Sequence, residues 1–394
     1  MQRLKSYKHT IWASYLGYIT QAIVINFAPL LFLTFSKTFH LSLDKITMMT
    51  TVNFLVQLIV DFLATKFVDK IGYRRCIVTA HIFDAVGLVG LAVLPFIMPP
   101  FAGLMIAVVL YAIGGGLIEV LISPILEACP TENKEGEMSL LHSFYCWGFL
   151  FVVLLSTAFF AMFGTDKWWI LALVWAVVPL VNAFYFMCVP IYPVVKAGEE
   201  TPFFELLKTK VFWLLLVIMV CAGAAEQAIA QWVSTFAESG LRVSKTVGDL
   251  AGPCAFAACM GAARALYGKF SEKLPLKPAM IACAALCIAC YLTAAFAQNA
   301  VFALVGCALC GFSVGIFWPG TFSAAAVRLP TGGIAMYALM ALAGDLGCSA
   351  GPTLVGLIAS ANGNSLSAGL SVAIIFPIVI LLGISLLKID KKKA

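Results

Sequence analysis

The sequence predicts an all-α membrane protein with twelve transmembrane helices in two pseudo-symmetric six-helix bundles. Hydrophobic residues make up 62% of the 394 residues and charged residues 11%, which is more apolar surface than a soluble core could hide. Apolar windows recur along the chain between short polar loops. Motifs of the first half also return in the second half, which is typical of duplicated membrane bundles.

The apolar windows are long enough to cross a bilayer as helices, at about 1.5 Å of rise per residue. The longest polar connection runs from Ile191 to Lys210 and separates six windows from six. We therefore expect an N-terminal bundle over residues 1–190, a cytoplasmic linker over 191–210 and a C-terminal bundle over 211–394. The twelve predicted spans cover residues 9–35, 46–68, 75–97, 101–126, 138–163, 168–190, 211–237, 247–270, 278–297, 300–325, 332–360 and 366–387.

The distribution of basic residues predicts the orientation in the membrane. If the N-terminus is inside, cytoplasmic segments carry nineteen of the 25 Lys and Arg residues and the outer loops carry five. This bias satisfies the positive-inside rule with both termini cytoplasmic, in a cell (inner) membrane. The net charge of +6 is therefore interpreted as a topology signal, and no basic, aromatic-interleaved patch indicates a nucleic-acid partner. The apolar segment after the basic N-terminus is too long for a signal-peptide core and is expected to be a retained span.

Two pairs of segments indicate an internal duplication. Thr20 to Phe27 (TQAIVINF) matches Glu226 to Val233 (EQAIAQWV) at the QAI core, and Gly116 to Pro124 has the glycine-to-proline spacing of Gly311 to Pro319. Halves of this kind, with a substrate site between them at mid-membrane, are the architecture of alternating-access carriers.

Glu226 is the most informative residue of the seventh span. A carboxylate in hydrocarbon is costly unless it faces a wet cavity or a partner, so it is a candidate site residue. Gln227, Gln231 and Trp232 lie beside it and favour a role facing a ligand. The alternative is a protonated acid that is hydrogen-bonded to a neighbouring helix.

Two other acids are candidates for proton coupling. Glu119 in the fourth span is the better one, because burial disfavours the charged carboxyl and can link its protonation to transport. Its alternative role is an interhelical hydrogen bond. Asp345 interrupts a helix of small residues in the eleventh span. Its side chain either packs between helices or lines a cavity, and the sequence favours neither role.

Polar residues also share faces of the second and third spans. Asn53, Gln57 and Asp61 recur every four residues, so they lie on one helix face that lines a cavity or joins the cytoplasmic gate. His81 and Asp84 are one turn apart, and we expect a structural pair.

The thirteen cysteines lie mostly within apolar spans and are expected to be reduced. Cys287, Cys290, Cys307 and Cys310 have the spacing of two CxxC pairs, but four thiolates around zinc would place a dianion in hydrocarbon. We expect no metal and no cofactor. No catalytic motif is visible, which disfavours a membrane-embedded enzyme.

The loop after the second span resembles a known family signature. Asp69 to Arg75 (DKIGYRR) is similar to the cytoplasmic loop motif of the major facilitator superfamily, with Thr65 in place of its leading glycine and Tyr73 where arginine is common. The segment from Gly261 to Gly268 (GAARALYG) looks like the degenerate copy in the second half. The resemblance implies a cytoplasmic gate formed by Asp69, Arg74, Arg75 and Arg264.

Further motifs resemble the fucose and glucose permease branch of that superfamily. They are GAAEQAIAQW in the seventh span, Glu119, His142 in LLHSFYCWG and FWPG in the tenth span. Sugar:proton symporters of this branch tend to carry an acid in the first span, where this chain has Gln21 and Asn26 but no carboxylate.

Together these features predict a secondary active transporter that imports a small polar solute such as a sugar with a proton. Uncharged Asn and Gln side chains beside Trp rings suit sugar hydroxyls and pyranose faces. An antiporter that exports amphipathic compounds or metabolites is the alternative, and a monomer in the lipid bilayer is expected. The candidate substrate-binding residues are Gln21, Asn26, Asn53, Gln57, His142, Glu226, Gln227, Gln231, Trp232 and Trp318, and the candidate proton-coupling residues are Glu119, Glu226 and Asp345.

Overall fold

The computed structural model describes residues 5–41, 43–195, 200–233, 250–297, 299–363 and 365–387. The predicted end of the seventh span and start of the eighth, residues 234–249, lie outside the described residues, as do residues 196–199 of the predicted linker. Helices account for most of the described chain, and the described ranges contain no β-strand.

The chain divides into two compact units. The first contains Met1–Pro130 and Trp147–Lys196, and the second contains Thr131–Cys146 and Ala197–Ala394. The boundary between the units therefore falls in the predicted linker, and the first part of the predicted fifth span belongs to the second unit.

The first unit is built from seven helices, of which α6 continues from the second unit. They are α1 (Tyr7–Leu30), α2 (Phe32–Phe39), α3 (Leu43–Ile71), α4 (Tyr73–Ile97), α5 (Pro100–Glu127), α6 (Lys134–Phe163) and α7 (Trp168–Cys188), with a 3₁₀ turn at Thr165–Lys167.

The second unit contains the beginning of α6 and nine further helices. They are α8 (Phe203–Lys208), α9 (Lys210–Ala230), α10 (Ala255–Phe270), α11 (Leu276–Phe296), α12 (Ala300–Val314), α13 (Phe317–Arg328), α14 (Gly333–Ala361), α15 (Leu366–Ala373) and α16 (Ile375–Leu386). A π-helical turn at Leu250–Cys254 precedes α10.

Eleven segments of the described residues are long and apolar enough to cross a membrane, six before the linker and five after it. The helix α10 and its π-helical turn are the described part of the remaining predicted span. Large apolar side chains lie on the outer faces of the helices, with Leu154 62% and Leu386 74% exposed. Such surfaces would aggregate in water but are matched to lipid.

Buried aromatic and aliphatic side chains hold the first unit together. Phe35 and Trp168 meet edge to face at 5.1 Å, and the exposed ring of Phe96 stacks on the same indole at 5.9 Å. Ile23, Phe27, Leu91 and Leu104 are fully buried in the same cluster.

Glycines set the close packing of α9 against α14 in the second unit. A Cβ on Gly351 would lie 2.8 Å from the Cα of Ala224, and one on Gly347 would overlap the carbonyl of Val220. Small residues that let two backbones approach are the usual basis of helix association in membranes. This contact fixes the helix that carries Glu226 against the helix that carries Asp345.

Candidate functional site

The first unit contains a group of polar side chains that we call the amide cluster: Gln21 on α1, Asn53 and Gln57 on α3, and Glu119 on α5. The Nε2 of Gln21 donates a hydrogen bond to Oε2 of Glu119 at 3.2 Å. Asn53 and Gln57 are buried and lie one turn apart on α3. The structure thus brings Gln21 and Glu119 into contact, with Gln57 near them on α3 and Asn53 one turn from Gln57; all four are candidates from the sequence.

A glycine on α5 makes room for this cluster. A Cβ on Gly115 would lie 3.1 Å from Nε2 of Gln57 and 3.2 Å from Oε1 of Gln21. Both distances are tighter than ordinary carbon contacts, so the two amides reach the α5 backbone because the side chain is missing. Glu119 follows Gly115 by one helical turn and therefore lies on the same face of α5.

The cluster has hydrogen-bonding capacity that the described residues do not use. Within the described residues, Oε1 of Gln21, Nε2 of Gln57 and Oδ1 of Asn53 are buried and have no hydrogen-bond partner. Buried polar atoms are normally paired, and leaving one unpaired costs about 1–3 kcal/mol. Two acceptors and one donor in one region are chemically suited to a neutral polar ligand.

Asn26, the other candidate of α1, is placed differently. Its Nδ2 donates to the carbonyl of Ala22 at 2.9 Å, one turn earlier in the same helix. The side chain is half-buried, and its role in binding remains a prediction.

The second unit contains a buried arginine, Arg264 on α10, which is 3% exposed. Its Nη2 donates to Oε2 of Glu226 on α9 at 3.1 Å. Its Nη1 donates to the carbonyl of His142 at 3.2 Å and to Sγ of Cys146 at 3.1 Å, both on α6. Its Nε donates to the carbonyl of Gly315 at 2.8 Å. We call these five residues the arginine cage.

The start of α6 is fastened along α10 next to the cage. Ser139 Oγ donates to the carbonyl of Arg264 at 2.8 Å, and Ser143 Oγ donates to that of Gly261 at 3.1 Å. At one end, a Cβ on Gly268 would lie only 3.0 Å from the carbonyl of Gly136. These contacts hold α6 and α10 close enough for one guanidinium to reach both.

A buried ion pair is stable only when the remaining donors and acceptors are satisfied as well. Arg264 meets this condition through two backbone carbonyls and a thiol. The sequence places Arg264 in a cytoplasmic gate, whereas its side chain is buried inside the second unit. Cys146 and Gly315 were not singled out from the sequence at all.

Some of the other candidates of the second unit are packed against neighbouring helices, and the rest are half-buried or exposed. Trp232 donates from Nε1 to the carbonyl of Pro352 at 2.9 Å, and a Cβ on Gly344 would overlap the ring of Trp318. The ring of His142 lies 5.9 Å from that of Phe322. Gln227 and Asp345 are half-buried, while Gln231 lies just beyond the end of α9 and is exposed.

The loop residues proposed for the gate lie at the junction of α3 and α4. Asp69 is exposed and accepts a hydrogen bond from the Tyr73 hydroxyl at 3.1 Å. Arg74 Nη1 donates to the carbonyls of Phe186 and Met187 at 2.6 and 3.1 Å, at the end of α7. Arg75 is exposed. Arg74 thus closes a helix end within the first unit, and the gate itself stays a prediction.

His81 pairs with a residue that the sequence did not indicate. Its Nδ1 lies 2.8 Å from the carbonyl of Ile77, so Nδ1 must donate and Nε2 must accept from Nδ2 of Asn182 at 2.8 Å. The expected partner, Asp84, is fully buried against Gly114, and neither of its oxygens has a hydrogen-bond partner within the described residues. The expected pair of His81 and Asp84 is therefore wrong.

The four cysteines with CxxC spacing are all buried on α11 and α12. The sulfurs of Cys287 and Cys310 lie 3.9 Å apart. Among the described residues, no group of three or more His, Cys, Asp and Glu side chains is arranged to hold a metal ion.

Two units of apolar, membrane-length helices, each with polar side chains buried in mid-span, define a polytopic membrane protein of the transporter type. The family model of the Major Facilitator Superfamily matches residues 12–352, and the chain belongs to this superfamily. The predicted family and its twelve-helix fold are confirmed. No curated protein matches the sequence.

Solved structures of the same fold match nearly the whole chain. A variant of the E. coli fucose:proton symporter FucP is 14% identical with a TM-score of 0.79, covering 98% of this chain and 100% of its own. The proton:xylose symporter XylE is 13% identical with a TM-score of 0.81, covering 96% and 94%. The human organic anion transporter MFSD10 is 13% identical with a TM-score of 0.69, covering 97% and 99%. At these identities the similarity establishes the fold.

Proposed function

We propose that this transporter imports a small, uncharged polar solute, such as a sugar, together with a proton. The observation that carries the proposal is the amide cluster, where three buried amide atoms have no hydrogen-bond partner among the described residues and lie near the carboxyl of Glu119. FucP and XylE are named as sugar:proton symporters, which agrees with the proposal. The choice of solute class rests on the residues of this chain.

The chemistry of the cluster favours hydroxyl groups. A hydroxyl both donates and accepts, so one solute can satisfy the acceptors Gln21 Oε1 and Asn53 Oδ1 as well as the donor Gln57 Nε2. An anionic solute would instead require a cation in the site. The cation Arg264 belongs to the other unit and is already paired with Glu226.

Gln21 provides a physical link between solute and proton. One end of its amide donates to Glu119, and the other end is an acceptor that has no partner within the described part of the chain. Protonation of Glu119 weakens its ability to accept from Nε2, which changes how firmly the amide is oriented for a solute. A shared side chain of this kind makes the occupancy of each site depend on the other. Glu226 and Asp345 are the next candidates for the proton site.

We further propose that both termini face the cytoplasm of a cell with this protein in its inner membrane, on the basis of the basic residues in the predicted inner loops. On that orientation, the junction of α3 and α4 is cytoplasmic, and Asp69, Arg74 and Arg75 are its gate residues. The bundles are divided at residues 191–210, and the protein works as a monomer.

An uptake assay in proteoliposomes tests the proposal. A panel of radiolabelled neutral sugars, with sugar acids and amphipathic cations as comparison, is presented with and without an inwardly directed proton gradient. We expect accumulation of at least one neutral sugar only when the gradient is imposed. Accumulation driven by an outwardly directed gradient would indicate the antiporter. Transport restricted to charged or amphipathic compounds would overturn the choice of a neutral polar solute.

A further inference from the structure

The tenth span is interrupted between α12 and α13 at a position that its sequence explains. Proline has no backbone N–H, so Pro319 cannot donate to the carbonyl of Gly315, four residues earlier. The helix ends at Val314 and begins again at Phe317. A buried carbonyl without a donor costs about as much as a lost hydrogen bond, so Gly315 needs a donor from elsewhere.

Arg264 is that donor. Its Nε lies 2.8 Å from the carbonyl of Gly315. The approach is close because Gly315 has no side chain: a Cβ would lie 2.9 Å from that of Ala263 and 3.1 Å from the carbonyl of Met260. The break in the tenth span is thus pressed against α10 at the turn that carries Arg264.

We propose that Arg264 is a positioning residue that replaces the missing N–H of Pro319 and thereby fixes the break in the tenth span. The same guanidinium holds Glu226 through Nη2 and α6 through Nη1. The break and the orientation of Glu226 are therefore set by one side chain. Trp318 is the second residue of α13 after the break and lies against Gly344 of α14, so its placement depends on the same contact.

The fourth span supplies an internal comparison. Gly116 to Pro124 aligns with Gly311 to Pro319, so Pro124 corresponds to Pro319 and Val120 corresponds to Gly315. Yet α5 runs without a break from Pro100 to Glu127. Proline alone therefore does not break the span. The break occurs where the carbonyl belongs to a glycine that an arginine can reach.

The test is a rescue experiment on the purified full-length protein, read by hydrogen–deuterium exchange of the backbone. Arg264→Lys keeps the charge beside Glu226 but removes the Nε donor. We expect exchange in the segment from Ile316 to Phe322 to become roughly tenfold faster, as for the loss of one hydrogen bond to a charged donor. Adding Pro319→Ala returns an N–H that can bond to Gly315 and should slow the exchange again.

The aligned proline provides the control. Pro124→Ala restores an N–H in the first unit, where Arg264 has no part in α5, and it should leave the exchange of the Arg264→Lys protein fast. If Pro319→Ala does not slow that exchange, or if Pro124→Ala slows it equally, the proposal is overturned. If Arg264→Lys does not fold, the same comparison is made in the Arg264→Gln, Glu226→Gln background, which leaves no unpaired charge. The readout requires no solute, so it is independent of the proposed transport activity.

Discussion

The two halves of the chain have similar capping contacts at their helix ends, but their buried polar residues differ. Thr65 to Arg74 (TKFVDKIGYR) aligns without a gap with Gly268 to Lys277 (GKFSEKLPLK). Arg74 donates to the last carbonyls of α7, and Lys277 Nζ donates to the carbonyls of Ser385 and Leu387, at the end of α16, at 2.9 and 2.7 Å. In each half, a cation at the second position of one helix closes the end of another.

The same alignment shows that the buried residues of the two halves differ in type. It places Arg264 at the position of Asp61 and Met260 at the position of Gln57, while the glycine-to-proline match places Val314 at the position of Glu119. Among the described residues, the first half has amide atoms without hydrogen-bond partners near a carboxyl, and the second half has a cation that donates to a carboxylate, two backbone carbonyls and a thiol. The two halves thus have equivalent cations at their helix C-termini, whereas their buried polar residues differ in type and in hydrogen bonding.

The largest expected effect is on the stability of the second unit. Arg264→Met should lower the free energy of unfolding by about 3–5 kcal/mol, because Glu226 would remain as an unpaired charge in a largely buried site. Thermal or SDS-induced unfolding of the purified protein measures this loss. The double variant Arg264→Met, Glu226→Met should lose less than the single variant. Equal losses would mean that the ion pair is not what Arg264 contributes.

Glu119→Gln tests whether coupling belongs to the first unit. The variant mimics the protonated carboxyl, so it should keep binding and exchange of solute between equal pools but lose accumulation. One coupled proton supplies about 2.3 kcal/mol per 100 mV, so roughly fiftyfold accumulation would be lost at that potential. Proteoliposome uptake at imposed membrane potentials measures the accumulation of the solute. Accumulation with an unchanged pH dependence would direct attention to Glu226 or Asp345 instead.

Gln57→Met tests the difference in the amides directly, because methionine is the residue at the aligned position 260. We expect the KM for solute to rise about fivefold, equivalent to one neutral hydrogen bond of about 1 kcal/mol, with little change in the unfolding temperature. Gln231→Met makes the same change at an exposed position beyond α9 and should alter the KM less. The opposite order would place the solute nearer the second unit.

Much of the fold could be predicted from the sequence because hydrophobic length and repetition are local signals. The eleven described membrane-length segments fall within the predicted windows, apart from small shifts at their ends. The broken tenth span was not predicted, although Gly315 and Pro319 were its signal. A window of mean hydropathy does not distinguish one helix from two that share an axis.

Less of the candidate site could be predicted from the sequence, because hydrogen bonds between side chains depend on contacts between helices that are distant in the chain. Glu119 and Gln21 are almost a hundred residues apart, and nothing local indicates their hydrogen bond. For Arg264 a signal did exist. The resemblance assigns the segment GAARALYG to the degenerate loop copy, whereas the gapless match begins at Gly268 and places Arg264 a full turn before it, inside the helix. That alignment would have predicted a buried cation.

The smallest expected effect tests the shared part of the comparison. Arg74→Met and Lys277→Met should each lower the free energy of unfolding by about 0.3–1 kcal/mol, the usual contribution of a cation at a helix C-terminus. The exchanges Arg74→Lys and Lys277→Arg should be tolerated, since either cation can reach two carbonyls, and unfolding measurements on all four variants compare the two ends.

A gate role for Arg74 predicts a different result from a capping role. If Arg74→Met left stability unchanged but altered the labelling of cysteines introduced near the junction of α3 and α4, Arg74 would act on the conformational equilibrium, as a gate residue does, and the cap would be incidental. If stability falls by the same amount at both positions and labelling does not change, the two cations are equivalent caps. Gating by the loop would then depend on Asp69 and Arg75, the exposed residues that lie on either side of Arg74 in the signature.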